Sequence, residues 1–253
     1  MKTQTNITKS LSTTMTSLLF RDRPVPVTFA VPEDHAQAAI ASSPFQTWLQ
    51  RCQQQNLEIF AIEIQSVDFF GSRGVGFVKL KADVRLDGQR LPGICFLRGD
   101  AVCIFVALFC ENDQVYSLLV QQPRVPIGHA SCLELPAGML DDDGSSIAGT
   151  AVNEMKEECG IDVDPAELFD LTEVACREAW EAGHLPIPAL SPSGGGCDEF
   201  VRYFYLEKKV TKVELDAMRD RLTGLREHGE LITLRVVPMA DVWRISGDAK
   251  AMM

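Results

Sequence analysis

The run Glu154-Met155-Lys156-Glu157-Glu158-Cys159-Gly160-Ile161 puts three carboxylates on one short helix, and that helix dictates much of what must surround it. An α-helix advances about 100° per residue, so Glu154, Glu157 and Glu158, at i, i+3 and i+4, share one narrow arc of its surface. The opposite arc is apolar. Ala148, Ala151, Val152, Met155 and Cys159 recur at spacings that seat a helix on a sheet or core. Ser145 or Ser146 can cap the start, and Gly160 can end the helix in the left-handed conformation that glycine tolerates. A helix anchored on one face and acidic on the other holds its carboxylates rigidly, where they can converge on one cation.

An isolated E-x-x-E-E face is ordinarily only a solvated one. Here the turn Pro136-Ala137-Gly138 leads in, the acidic loop Asp141-Asp142-Asp143-Gly144 follows, and a glycine stop lies directly behind the carboxylates. This loop-helix-loop resembles the Nudix box, G-x5-E-x7-R-E-U-x-E-E-x-G-U, with U a bulky aliphatic residue. Gly138 supplies the first glycine, and Glu154, Met155, Glu157, Glu158, Gly160 and Ile161 match the second half position by position. There are two departures. The box arginine is Asn153, and the stretch from Gly138 to Asn153 is one residue longer than the pattern, with no glutamate at the middle glutamate position. The resemblance gives that arginine the task of orienting the glutamates, so asparagine should leave them less tightly fixed and catalysis weakened or lost.

The resemblance extends beyond the box. Gln121-Gln122-Pro123-Arg124-Val125-Pro126-Ile127-Gly128, Leu133-Glu134-Leu135-Pro136-Ala137-Gly138, the run from Ser191 to Glu199 and the run from Gly224 to Glu230 look like the corresponding segments of ADP-sugar diphosphatases. Within that group they resemble the plant ADP-glucose/ADP-ribose Nudix hydrolases. The likeness covers roughly residues 20 to 253, including Val67-Asp68-Phe69-Phe70-Gly71 and Lys81-Ala82-Asp83-Val84. It implies an α/β fold, an α/β/α sandwich around a mixed sheet, preceded by an amino-terminal helix plus small antiparallel sheet. It also implies a homodimer in which the amino-terminal sheets are exchanged or packed across the interface.

The same resemblance assigns roles. Hydrolysis of a diphosphate linkage must neutralise charge on non-bridging oxygens, lower the pKa of an attacking water and stabilise the leaving phosphate. Mg²⁺ on hard oxygen ligands, with Mn²⁺ as a substitute, does all three. Glu154 and Glu158 are the implied principal ligands, Glu157 a ligand to a further metal or a water contact with a catalytic role, and the backbone carbonyl of Ala137 completes the site. A general base should approach from a closing loop, since a rigid ligand serves poorly as a mobile proton acceptor. In related enzymes this is an acidic loop before the last strand, here Arg226-Glu227-His228-Gly229-Glu230. Glu230 is the first choice, as ligand or base, with Glu227 second; His228 stands where some relatives carry the base. A solvated charged loop is the bland alternative.

Arg124, one strand-end before the Pro-Ala-Gly turn, is placed to hold a phosphate through its planar fork; the plain alternative is a surface arginine. Gly138 is counted with the substrate-contacting positions. Gly195 and Gly196 would let backbone approach the sugar or distal phosphate, with Asp198 or Glu199 receiving hydroxyl hydrogen bonds, whereas a flexible linker would use the same glycines.

Length and charge agree with such an enzyme. A chain of 253 residues with 46% hydrophobic residues can bury a real core in one large domain or a main domain plus a smaller one. A formal net charge of -11 argues against broad binding to nucleic acid or anionic membrane, and no run is apolar enough to span a bilayer. Bound divalent cations and a few placed arginines would have to reverse the local potential for an anionic diphosphate. The eight cysteines show no C-x-x-C pair or regular spacing and read as reduced thiols in an intracellular, cytoplasmic protein. Cys197 stands apart because it sits in the glycine-rich loop. Residues 1–20 are rich in Ser and Thr and lack an apolar signal core, so they read as a disordered leader, with a mitochondrial or plastid transit peptide as the alternative.

Punctuation divides the rest at about residue 100 into a β-rich region, 21–99, and a second region, 100–253; the resemblance makes the first a dimerisation region and the second the Nudix hydrolase domain. Ser43-Pro44 opens a helix with Phe45, Trp48, Leu49 and Cys52 as its packing stripe. Residues 57–70, 75–87 and 91–98 read as strands, and Phe77, Lys79, Lys81 and Asp83 against Val78, Leu80, Ala82 and Val84 give a sheet with one wetter face. So small a sheet should pack on a neighbour. In the catalytic part, strands are expected at 101–109, 115–120, around 168–175, 200–207 and 231–237, with a hairpin at Glu111-Asn112-Asp113. Thr211-x-x-Glu214 makes a capping box for a helix with Leu215, Met218 and Leu222 inward. The sequence after Pro238 is helical in character up to Met253, which leaves room for a further segment.

The reading is therefore Mg²⁺-dependent hydrolysis of nucleoside diphosphate sugars, ADP-ribose or ADP-glucose, to AMP and a sugar phosphate. The competitors are a Nudix hydrolase for coenzyme A or dinucleoside polyphosphates and, from a different class, a catalytically weak nucleotide-sugar sensor.

Overall fold

The computed structural model describes residues 14–71, 74–111, 114–140, 146–225 and 229–252. They divide into two compact units, Met1–Arg98 with Gly195–Asp198, and Gly99–Gly194 with Glu199–Met253.

In the first unit, strands β1 (Thr14–Phe20) and β2 (Arg23–Phe29) form a hairpin. Its two-residue turn, Arg21-Asp22, has φ of 49° and 58° at the two positions, the left-handed pair that matches the twist of the strands. Residues 14–20 thus lie in a paired strand and not in the leader expected from composition. Helices α1 (Glu33–Ala41) and α2 (Ser43–Gln54) follow, the second with Pro44 in its first turn and Phe45 and Cys52 buried. Strands β3 (Glu58–Phe69), β4 (Val75–Leu86), β5 (Gln89–Leu91) and β6 (Ile94–Leu97) complete a six-stranded sheet of order β1-β2-β3-β4-β5, with β6 also on β4. The small antiparallel sheet of the sequence reading is corrected in two respects. It has six strands, and β2 runs parallel to β3 because the two-helix crossover returns the chain in the same direction. Alternation predicts the faces correctly: Val78, Leu80, Ala82 and Val84 are buried, while Lys79 and Lys81 are exposed.

The second unit is built on strands β7 (Ala101–Cys110), β8 (Val115–Arg124), β9 (His129–Glu134) and β10 (Ala137–Met139), followed by helix α3 (Ile147–Cys159). Then come β11 (Leu168–Asp170), α4 (Leu171–Glu181), β12 (Val201–Val210), α5 (Lys212–Met218), β13 (Leu222–Thr223), β14 (Ile232–Pro238) and α6 (Val242–Ile245). The sheet is mixed, of order β11-β12-β7-β8-β14-β13, with β12 parallel to β7 and the other pairs antiparallel. Its central strand is apolar on both faces because both are covered. Val102, Ile104, Val106 and Leu108 pack with Ala151, Met155 and Cys159 of α3 and Leu215 of α5. Ala101 and Cys103 pack on the other side with Leu119, Leu135, Tyr203, Val242 and Ala251, so the carboxy-terminal segment helps close that face.

Two expectations fail locally. The strand expected around 168–175 is only three residues long, because the Asp170 side chain accepts from Glu173 N at 2.8 Å and starts α4. The capping box Thr211/Glu214 forms, but its helix stops at Met218, so Leu222 lies exposed on β13 instead of inward. Asn112 and Asp113 of the expected hairpin lie outside the described residues. All eight cysteines are free thiols. Burial pushes Cys103 and Cys159 well above the ordinary thiol range. No helix of the described residues is long and apolar enough to cross a membrane.

Candidate active site

The Pro-Ala-Gly turn is fixed to the start of β7, where Ala137 pairs with Cys103, Gly138 with Val102 and Met139 with Ala101. Two further backbone bonds flank it, Ile104 N to Pro136 O and Leu140 N to Asp100 O, each 2.9 Å. Helix α3 is held against this platform. Its Ser146 side chain accepts from Gly149 N at 3.0 Å, and Gly160 ends it at φ 60°, as the sequence suggests. The acidic loop before it and Ser145 lie outside the described residues.

Two of the three box glutamates turn toward the platform. Glu158 is only 6% exposed and its Oε2 accepts from Ala137 N at 3.0 Å. Glu154 lies so close to Gly138 that a Cβ there would stand 1.8 Å from Glu154 Oε1, so only glycine leaves room for this carboxylate. Burial, with the nearby Glu154 charge next, raises the Glu158 carboxyl from its ordinary 4.5 to about 8; the Ala137 amide and Arg124 oppose that rise, and Glu230 adds to it. Glu154, Glu230 and Arg124 therefore all lie within electrostatic reach of Glu158. Glu157 is exposed to solvent, as is Asn153.

A strap around β13 ties the end of α3 to the Glu230 loop. Thr223 Oγ1 donates to Glu158 O, Gly224 N to Glu157 O at 3.3 Å, and the Arg221 guanidinium to Cys159 O. These donors satisfy carbonyls that a helix end otherwise leaves without partners. The chain then turns at Gly224, φ 83°, where a Cβ would press on Glu230 O at 3.1 Å. Leu225 N donates to Glu230 Oε2 at 3.0 Å, holding this carboxylate at the mouth of the loop. Glu227, with Arg226 and His228, lies outside the described residues.

Arg124 does not extend a free fork. Its Nε and Nη2 bind Glu134 Oε1 and Oε2 at 2.7 and 2.8 Å, a bidentate pair bridging β8 and β9. Burial alone would raise the Glu134 carboxyl, but the hydrogen bonds and charge of Arg124 and the charge of Lys250 outweigh it and lower it. Gly195, Gly196 and Asp198 belong to the first unit. There Asp198 N donates to Phe96 O at 3.3 Å and its Oδ1 accepts from Arg98 N at 2.7 Å, so this carboxylate has a backbone-tying contact. Glu199 belongs to the second unit, within electrostatic reach of the Tyr203 hydroxyl.

Sequence reading missed Glu134, Thr223, Arg221 and Lys250. Only Glu134 left a signal, an acid between Leu133 and Leu135 that a buried strand can accept only when it is paired.

The donor set bears on a metal. Among the described residues no group of three His, Cys, Asp or Glu side chains is arranged as a finished metal shell. The chemistry nevertheless fits a hard divalent cation, since Glu158 is a buried carboxyl crowded by two further carboxylates and compensated by one amide and one guanidinium.

Residues 98–252 match the NUDIX domain model. The chain is 39% identical over 239 residues to Nudix hydrolase 14, chloroplastic, of Arabidopsis thaliana, covering 90% of this chain and 74% of that protein. A putative nudix hydrolase 2 of Caenorhabditis elegans is 43% identical over 61 residues, 24% of this chain and 26% of that protein. A crystal structure of an ADP compounds hydrolase aligns with TM-score 0.48 at 14% identity, covering 78% of this chain and 88% of that one. The chain belongs to the Nudix hydrolase family, which makes hydrolysis its activity class; such enzymes generally use divalent metal ions.

Proposed function

We propose that the protein hydrolyses the diphosphate bond of nucleoside diphosphate sugars, ADP-ribose or ADP-glucose, to AMP and a sugar phosphate, with Mg²⁺ as the metal. The observation that carries the reading is the buried Glu158, bonded to Ala137 N at the turn and within electrostatic reach of Glu154, Glu230 and Arg124. Glu154 and Glu158 would hold the metal, with Glu157 on the solvent side. When bound, the metal supplies charge neutralisation on the diphosphate and acidifies the attacking water. The remaining work falls to the chain. Because Glu134 takes Nε and Nη2, Arg124 would meet a phosphate oxygen with its Nη1 edge. Gly138 leaves room for the Glu154 carboxylate against the turn. Glu230, presented by Leu225 N, or Glu227 accepts the proton of the water.

The amino-terminal unit supports a homodimer in this reading. Its edge strand β1 exposes Met15 and Leu19, both 68% accessible, and Ile94 on β6 is 72% accessible. The chloroplastic Arabidopsis relative supports a plastid alongside the cytoplasm as the site of action.

The test is AMP release from a panel of ADP-ribose, ADP-glucose, coenzyme A and dinucleoside polyphosphates at fixed pH, with and without Mg²⁺. Mg²⁺-dependent AMP from the ADP-sugars, ahead of the others, is expected. Tight binding without turnover would favour the sensor, the reading that Asn153 at the box arginine position motivates.

A further inference from the structure

Glu134 is held by more than Arg124. Lys250 Nζ lies 3.8 Å from Glu134 Oε2, the same oxygen that accepts from Arg124 Nη2 at 2.8 Å. Lys250 is in turn paired with Asp248, whose Oδ1 accepts from Lys250 Nζ at 2.8 Å and from Lys250 N at 3.1 Å. Ser246 completes the clasp, donating through Oγ to Leu133 O at 2.7 Å and accepting from Asp248 N at 3.2 Å. Val242 and Ala251 bury themselves on the sheet at either end of this segment. The side chains of Glu134 and Asp248 are 6% and 8% exposed, so water screens these charges little. A line of alternating charge therefore runs from the carboxy-terminal segment to Arg124 at the edge of the site: Asp248, Lys250, Glu134, Arg124.

We propose that Lys250 and Asp248 are positioning residues that set how firmly Glu134 holds the Arg124 guanidinium, and so how strongly Arg124 meets an anionic diphosphate. A carboxylate oxygen divided between two cations binds each less strongly than it would bind one, and a cation already neutralised by a neighbouring acid competes less for it. Removing Lys250 leaves Glu134 to Arg124 alone and draws the guanidinium away from substrate. Removing the Asp248 charge strengthens Lys250 on Glu134 and releases Arg124. The two substitutions act in opposite directions, whereas a segment that only stabilised the fold would weaken binding when either is damaged.

The inference rests on the proposed diphosphate contact of Arg124. The experiment measures the Kd of α,β-methylene ADP-ribose in Mg²⁺ buffer by calorimetry for the full chain. Lys250→Met should weaken binding roughly three- to tenfold and Asp248→Asn should tighten it by a similar factor, while Lys250→Arg stays near the parent. Both shifts should vanish in a Glu134→Gln background and persist in ~0.5 M salt, because long-range charge would do the reverse in each case. The salt series decides the matter if Glu134→Gln does not fold. Shifts of the same sign, shifts that salt abolishes, or no shift in folded variants would overturn the inference. Arg124→Met separates the two layers: weakened binding there with silent Lys250 and Asp248 variants refutes the clasp alone. An unchanged Kd in Arg124→Met, or no binding by the parent, refutes the diphosphate reading and the clasp with it.

Discussion

Glu158→Gln tests whether the buried carboxyl is the electrostatic pivot of the site. In the metal-free protein the Glu158 midpoint moves from 4.5 to about 8, mainly through burial. At about 1.4 kcal/mol per pK unit this corresponds to roughly 5 kcal/mol against the ionised form. The sign follows from proton counting. Between the unfolded and folded midpoints the native state holds a proton that the unfolded chain has lost, so the contribution to stability is fully present below pH ~4.5 and falls as pH rises to ~8. Glutamine keeps the size of the side chain and its bond from Ala137 N but has no proton to lose.

With chelator present, the stability of the parent relative to Glu158→Gln should therefore decline by roughly 1.4 kcal/mol per pH unit between pH 5 and 8 and then level off. That is about 3–5 °C per pH unit in the difference of Tm, read by calorimetry on both proteins in the same buffers. Comparing the two variants cancels the other titrating groups. Saturating Mg²⁺ should reverse the trend for the parent, since ionised Glu158 is the form that binds, and should leave Glu158→Gln unmoved. Parallel pH profiles in chelator would refute the buried, proton-holding carboxyl, and an intact Mg²⁺ shift in the variant would remove Glu158 from the metal site.

Four further outcomes are expected. Gly138→Ala places a methyl where Glu154 Oε1 now lies, so kcat/KM with ADP-ribose should fall by ~10²-fold or more with the fold retained by circular dichroism. Thr223→Val removes the donor to Glu158 O and should cost about 1 kcal/mol in urea unfolding; no change would mean that the strap does not hold the helix end. Asn153→Arg should raise turnover roughly tenfold, equivalent to about 1.4 kcal/mol, and a loss would mean that the site is built around asparagine. Of Glu230→Gln and Glu227→Gln, one should lower kcat by ~10²–10⁴-fold with KM little moved, and full turnover in both would exclude this loop as the source of the base.

How much of this was legible in the sequence depends on the range of the interaction. The Ser146 cap, the Gly160 stop, the Thr211/Glu214 capping box and the covered strand β7 are written in neighbouring residues, and all four form as read. Local pattern misled where a short polar signal outranked it, as when Asp170 began α4 inside an expected strand. The strand β1 was hidden because Thr and Ser are common to strands and to unstructured tails, and only pairing with β2 decides between them. At the site the glutamates of α3 were readable from their spacing. Their partners were not. Thr223 reaches Glu158 across 65 positions and Ser246 reaches Leu133 across 113, and no periodicity announces such contacts.

The charge problem posed by the sequence resolves differently in three dimensions. A net charge of -11 and a three-glutamate box suggest strong repulsion of a diphosphate. In the folded unit the formal count overstates it. Glu158, raised to about 8, carries a proton through most of the neutral range when no metal is present, and Glu134 is neutralised by Arg124 with Lys250 behind it. Glu157 faces solvent, where water screens it. Among the described residues the acidity near Glu158 thus falls mainly on Glu154 and Glu230, and a divalent cation that displaces the Glu158 proton adds two positive charges for one released. Net local charge then rises on metal binding by one, at the point where Arg124 already contributes a cation. Metal and diphosphate should accordingly bind with positive cooperativity, and the coupling should strengthen as pH rises past ~8, where Glu158 no longer gives up a proton and metal binding adds both its charges to the site.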